Sequence, residues 1–238
     1  MAITDKEKGV WGLDQVYNKI NQGSIWSFQE PATLWSWGTN NYGQVGVNSS
    51  DEISSPTQIG SLTTWRYASG ATGGGGGCFA INESNELYAW GNNTSGQLGQ
   101  GNSDKRSSPV QIPGTTWETV SNSYGEGVGA IKTDGTLWTW GSSEYGEGGR
   151  NNRTASASPI QVPGTTWSSI CGALTNDKSF LATKTDGTLW SWGSNTWGQL
   201  GKNDVAHRSS PVQIGSDTNW TQTTIEWRAS GGIKTIEG

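Results

Sequence analysis

Beyond residue 33 the chain is mostly short runs in which apolar and polar residues alternate, each bounded by Gly, Pro, Asn or Ser. Alternation with β-branched and aromatic residues at the apolar positions marks strands that bury one face of a sheet. Four kinds of run recur in fixed order: Leu-Trp-x-Trp-Gly, a Ser-Pro run ending in Val-Gln-Ile, Thr-Trp-x-x-x, and Ala-Ile-Lys-Thr. The first begins at Leu34, Leu87, Leu137 and Leu189, at steps of 53, 50 and 52 residues. The Ser-Pro pairs ending at Pro56, Pro109, Pro159 and Pro211, and Trp65, Trp117, Trp167 and Trp220, keep the same period. Four units of about 50 residues, each with four strands and no helical period, predict an all-β propeller of four four-stranded blades over residues 34–238.

Asp134-Gly135 and Asp186-Gly187 stand between two strand runs and predict hairpins in which both turn residues take positive φ. Each hairpin joins the last strand of one unit to the first strand of the next. Leu34, Trp35 and Trp37 then form a first strand with no hairpin partner, and Ile233 and Ile236 lie on a last strand with none. Pairing these two closes the ring and removes both exposed edges. Continuation into a second copy of the chain is the alternative.

Residues 1–33 lie outside the repeat and are expected to form a separate docking arm. Leu13, Val16, Tyr17 and Ile20 follow the i, i+3, i+4, i+7 spacing of a short helix between Asp14 and Gly23. With Trp11 and Trp26 they are the candidate docking residues. The first residues alternate acids and bases and enter no apolar run of leader length, so a secretory leader is not expected.

Composition changes the picture of the core. The 238 residues include 36 Gly and 15 Trp, and 15% are charged, against about 25% in an average domain. With few aliphatic side chains, the core must be built largely of tryptophan. Mean hydropathy is −0.61, and no run reaches the roughly 18 apolar residues of a spanning helix, so membrane insertion is not expected. A net charge of −5 opposes binding to phosphate backbones, so nucleic acid is not an expected partner.

Candidate chemistry is sparse. Cys78 and Cys171 are 93 residues apart without a CxxC, and His207 is the one histidine, so neither a metal site nor a cofactor is expected. The two thiols read as buried and not bridged. The run Gly73 to Gly77 lacks the following Gly-Lys-Ser/Thr of a phosphate cradle and reads as close-packed backbone. His207 reads as a solvated loop residue, and Glu144 and Glu147 as loop acids, not a glycosidase pair. No catalytic residue is assigned, and the chain is not expected to be an enzyme. Tyr42, Tyr145 and Trp197 occupy one position in the loop after the first strand, where the second unit has Ser95. Exposed, they would stack on a sugar ring or a protein partner; buried, they would plug the gap between blades.

The segments Trp37 to Gly46, Trp90 to Gly99 and Trp192 to Gly201, with their repeated Trp-Gly-x-Asn and Gly-Gln-x-Gly, resemble the repeat of the regulator of chromosome condensation family. The third copy departs, reading Tyr145-Gly146-Glu147-Gly148-Gly149. The resemblance implies a propeller, although family members usually have seven blades. Their best-known activities, nucleotide exchange on a nuclear small GTPase and chromatin binding, are not expected here, because the spacing leaves no room for a long insertion and the chain is acidic. Gly9 to Asn18 and Gly23 to Trp26 are similar to terminal segments of tailed-bacteriophage virion proteins, notably those of marine phages. That second resemblance implies a non-enzymatic virion protein assembled in the host cytoplasm, a tail fibre or receptor-binding module held by its arm. Its implied partners are other virion proteins, further copies of itself in the particle, and a host surface glycan or protein. A capsid decoration protein and an intracellular protein-binding propeller of the condensation-regulator type are the alternatives.

Overall fold

Antiparallel pairing of the predicted runs produces every sheet in the computed structural model, which describes residues 31–70, 76–124, 126–173, 177–226 and 228–235. Among the described residues the chain is all-β, with no helix. A two-stranded sheet, β1 (Trp35–Gly38) and β2 (Ile53–Gln58), comes first. Three four-stranded meanders follow. The first is β3 (Trp65–Ser69), β4 (Gly77–Asn82), β5 (Leu87–Gly91) and β6 (Arg106–Gln111). The second is β7 (Trp117–Asn122), β8 (Gly127–Lys132), β9 (Leu137–Gly141) and β10 (Ser156–Gln161), and the third is β11 (Trp167–Gly172), β12 (Ser179–Lys184), β13 (Leu189–Gly193) and β14 (Arg208–Gln213). A second two-stranded sheet, β15 (Trp220–Glu226) and β16 (Ala229–Lys234), ends the series.

Each meander therefore takes its first two strands from one sequence repeat and its last two from the next. The tight turn between them is the reason. Lys132 N–H donates to Thr136 C=O at 3.0 Å and Gly135 N–H to Lys132 C=O at 2.9 Å. Gly135 and Gly187 both sit at φ 75°, and Asn85 takes the same role at φ 59° in the first meander. The aspartates do not adopt positive φ. The turn is a type I turn followed by one left-handed residue, not the doubly left-handed turn expected from Asp-Gly. The Asp134 carboxylate accepts the Thr136 hydroxyl at 2.7 Å and its N–H at 3.0 Å, and these bonds hold the carboxyl below its ordinary range. Asp186 and Thr188 repeat the arrangement.

The core lies between sheets and is largely aromatic. Leu87 and Ile112 of the first meander bury Trp117 and Trp140 of the second, and Leu137 and Val162 of the second bury Trp167 and Trp192 of the third. Strand β8, with a sheet packed on both faces, is buried along its whole length except Lys132. Loop glycines set the step from sheet to sheet. A Cβ on Gly43, Gly96 or Gly146 would lie 2.6, 2.6 or 2.5 Å from the backbone of Ser107, Ala157 or Ser209, so only glycine permits this approach.

Closure within the chain, expected from Leu34, Trp35, Trp37, Ile233 and Ile236, is not formed. Strand β1 pairs with β2 alone and β16 with β15 alone. Loop-to-sheet contacts govern the step between sheets, and after three full meanders that step leaves the end strands unpaired. Leu34 is half-buried, Trp35, Trp37 and Ile233 are exposed, and Ile236 lies outside the described residues. So do Trp11, Leu13, Val16, Tyr17, Ile20 and Trp26 with their expected helix. The chain divides into Met1–Pro31 and Ala32–Gly238, and the fold above is that of the second unit.

Candidate interaction surface

The loops after β1, β5, β9 and β13 share one construction. A buried asparagine pins each of three of them. Asn40 Oδ1 accepts the Val45 N–H at 2.9 Å, and its Nδ2 donates to the carbonyls of Ser49 and Asp51. Asn93 holds Leu98, Asn102 and Asp104 in the same way, and Asn195 holds Leu200, Asp204 and Ala206. The loop after β9 has Ser143 at this position. There Arg150 Nη2 donates to Thr154 C=O at 2.8 Å, replacing the bond that Asn93 makes to Asp104.

A second side chain orients the residue that carries each ring. Gln44, Gln97 and Gln199 accept the N–H of Tyr42, Ser95 and Trp197 at 2.8 to 2.9 Å. Glu147 does this for Tyr145 at 2.8 Å and also accepts the Glu144 N–H and the Ser142 hydroxyl. Its carboxylate is wholly buried in its own loop, while Glu144 pairs outward with Lys178 at 2.5 Å. Glu147 therefore serves its own loop, and Glu144 ties that loop to Lys178 ahead of β12.

Tyr42, Tyr145 and Trp197 do not converge on one site; each stands in a different loop. Tyr42 is half-buried with Lys105 Nζ 4.3 Å from its ring centre. Tyr145 is half-buried edge-on to His207, with ring centres 4.9 Å apart, and Lys178 lies 5.6 Å away. Lys105 and His207 precede β6 and β14 of the following sheets, so these two tyrosines fill the gaps between sheets. Trp197 is 53% exposed, with the Arg228 guanidinium 3.9 Å from its ring centre.

His207 is half-buried, not solvated. Its Nδ1 accepts the Asn195 N–H at 2.9 Å. Burial, helped by the positive charge of Arg153, pushes the imidazole below its usual value. The unfolded chain thus takes up the proton more readily, so this contribution to stability is lost as pH falls through and below about 6.5. The urea midpoint is expected to fall by a few tenths molar, about 0.3 M, between about pH 7.5 and 5.5, and His207→Gln should flatten that drop. An unchanged slope in the variant would assign the drop to other groups.

The thiols of Cys78 and Cys171 are half-buried and form no disulfide, and Cys78 Sγ donates to Gln44 C=O at 3.3 Å. Among the described residues no group of three or more His, Cys, Asp or Glu could hold a metal ion, and no helix is long and apolar enough to cross a membrane. Sequence reasoning missed a cleft of about 280 Å³ beside β15 and β16, lined by Leu189, Gln199, Gly201, Ile214, Trp220 and Ser230. The signal was present in the period of the second Trp of Leu-Trp-x-Trp, which fills the equivalent space at every internal junction.

Stacked four-stranded meanders with repeated, side-chain-pinned loops define a β-propeller repeat protein whose accessible surface is loops and sheet edges. The regulator of chromosome condensation (RCC1) repeat matches residues 32–81, 84–124 and 186–230, more than half of the chain, and the chain belongs to this family. It is 32% identical over 74 residues to the secretion-regulating guanine nucleotide exchange factor of Mus musculus, covering 31% of this chain and 16% of that protein. Over 80 residues it is 41% identical to the protein RCC2 homolog of Xenopus laevis, covering 33% and 15%. Human WBSCR16 superposes with a TM-score of 0.71 at 21% identity, covering 87% of this chain and 54% of that one. Prp20p of Saccharomyces cerevisiae does so with a TM-score of 0.68 at 18% identity, covering 86% and 52%. The chain thus spans about half the length of these solved propellers and a small part of the curated relatives.

These findings overturn the virion reading. The relatives are cellular eukaryotic proteins, and the family match begins at residue 32, beyond Gly9 to Trp26, on which the bacteriophage resemblance rested. Tail fibre, capsid decoration, virion location, virion partners and a host receptor are withdrawn with it. The physical reason is information content: a helix-spaced pattern in one short segment arises easily, whereas a four-fold repeat with matched turns does not.

Proposed function

We propose that this chain is a non-enzymatic protein-binding propeller of the condensation-regulator type, in which β1–β2 and β15–β16 are each half of a blade. Residues 34–238 are the binding domain and residues 1–33 a separate docking arm. The observation that carries the reading is the loop series. Each loop is pinned by buried side chains; Tyr42 and Tyr145 brace the loops against the following sheets, and Trp197, with Arg228 beside it, is the ring left exposed. A surface ordered before contact loses little entropy on binding, which favours recognition over turnover. Solved relatives support a protein partner: Prp20p is described with its binding to Gsp1p and histones, and yeast RCC1 with bound Kap60. The net charge of −5 favours a cationic protein.

Immobilised chain titrated with core histones and with nucleotide-loaded Gsp1p tests this. Saturable binding to at least one is expected, weakened by salt and about tenfold by Trp197→Ala. Faster nucleotide release from Gsp1p would mark exchange in addition to binding. No binding to either protein removes the reading.

A further inference from the structure

Three internal junctions are built alike. At the first, Trp90 is buried with Ile59 and Trp65 and donates Nε1 to Gln44 C=O at 2.9 Å. At the second, Trp140 is buried with Leu87, Ile112 and Trp117 and donates to Gln97 C=O at 2.8 Å. At the third, Trp192 is buried with Leu137, Val162 and Trp167 and donates to Glu147 C=O at 2.8 Å. The cleft beside β15 and β16 has the corresponding walls, Leu189, Ile214 and Trp220 with Gln199 and Gly201, and is lined further by Trp197 with Arg228, but the repeat equivalent of Trp90, Trp140 and Trp192 is not among its residues. At the other end of the fold stands the tryptophan without a cleft. Trp37, the repeat equivalent of Trp90, Trp140 and Trp192, is 60% exposed, whereas they are at most 3% exposed.

The flanking features match as well. Strand β16 is exposed along its whole length, while its equivalents β8 and β12 are buried except at the terminal lysine. Carrying over the register of Gly129 with Thr139 and Ile131 with Leu137 places Gly231 opposite Ser36 and Ile233 opposite Leu34. Lys132 lies over both Trp117 and Trp138, and Lys184 over both Trp167 and Trp190. Lys234 lies over Trp220, and the second ring of that sandwich corresponds to Trp35, which is 49% exposed. The N–H groups of Asn48, Gly101 and Asn151 donate to Ser107, Ala157 and Ser209 of the following sheet at 2.7 Å. Asn203, left-handed like them at φ 57°, is the fourth such donor, and the acceptor that the same scheme gives it is the Ser54 carbonyl.

We propose that two copies of this chain associate head to tail, Trp37 of each entering the cleft of the other and β16 of each pairing with β1 of the other. Each joint completes one four-stranded sheet. Its Trp37 Nε1 reaches Gln199 C=O, which has a second lone pair beside the one that accepts the Ser230 hydroxyl at 2.7 Å. The chain superposes on 54% and 52% of two longer solved chains, so two copies supply about the length of one of them, as eight sheets. A head-to-tail contact that carries each copy half a turn closes after two members instead of growing into a filament.

Light scattering on the size-fractionated chain is expected to give twice 25.4 kDa. Trp37→Ala and, on the opposite edge, Ile233→Asp should each raise the dimer dissociation constant by about 30-fold or more. Both residues are exposed in the single chain, so the thermal midpoint of the variant monomers serves as the folding control. The double variant Ser36→Cys, Gly231→Cys, mildly oxidised with copper phenanthroline, should give a covalent dimer on a non-reducing gel. A disulfide within one chain would overturn the proposal in favour of self-closure. A monomer up to about 100 μM, a ladder of higher oligomers, or a dimer indifferent to both edge variants would each overturn it too.

Discussion

Replacing Trp192 by alanine is expected to lower the stability of the repeat domain by about 3–5 kcal/mol. The indole is wholly buried, stacked on Phe180 with ring centres 5.6 Å apart and edge-on to Trp167 at 6.0 Å. Its Nε1 donates to Glu147 C=O across the junction, so truncation also leaves a buried carbonyl without that donor, at about 1–3 kcal/mol. The site resists collapse. A Cβ on Gly149 would lie 3.1 Å from Trp192 Nε1, which shows how closely the loop backbone is already shaped to the ring. At about 2–4 °C per kcal/mol for a domain of this size, the calorimetric midpoint should drop by roughly 10 °C or more. A loss below about 1 kcal/mol would mean that something other than these tryptophans holds the sheets together.

The second large effect is expected at Gly141, the glycine of Trp-Gly at the end of β9. It lies at φ 82°, and a Cβ there would collide with the Glu126 carbonyl oxygen. The obstructing atom is backbone, itself held by the Ser142 N–H at 3.1 Å, so it cannot swing aside as a side chain would. Gly141→Ala therefore combines about 1–3 kcal/mol of backbone strain with about 1–3 kcal/mol of overpacking. Gly38 supplies the control. It holds the same place in β1 at φ 114°, and nothing lies within 4 Å of the position an alanine methyl would take, so Gly38→Ala should carry the strain alone. Urea unfolding of the two variants separates the contributions. Equal losses would show that packing behind Gly141 is softer than its geometry implies.

The pairing of Leu-Trp-x-Trp with Ala-Ile-Lys-Thr was legible because a tight turn forces neighbours in sequence to be neighbours in a sheet. The turn chemistry was half legible: glycine was needed at positive φ, but Asp134 and Asp186 work through side-chain bonds to Thr136 and Thr188, which relieve the aspartates themselves of that conformation. Periodicity marked Tyr42, Tyr145 and Trp197 as equivalent and left their burial open. Burial depends on whether the following sheet carries its outer strands: Lys105 before β6 and His207 before β14 cover the two tyrosines, and the two-stranded sheet after Trp197 has no equivalent. His207 was misread for a related reason: its partner Asn195 is 12 residues away, across a loop whose path is set by the asparagine side chain.

By itself the sequence determined the strand repertoire, the four-fold repeat, the aromatic core and the half-repeat offset between repeat and blade, since all of these follow from local periodicity and from turns of a few residues. Only the tertiary structure decided that the end strands remain apart. Closure depends on the rotation between successive sheets, which accumulates from the approach of Gly43, Gly96 and Gly146 to the backbone of the following sheet. That rotation is a property of packed surfaces, and no pairing rule written along the chain contains it.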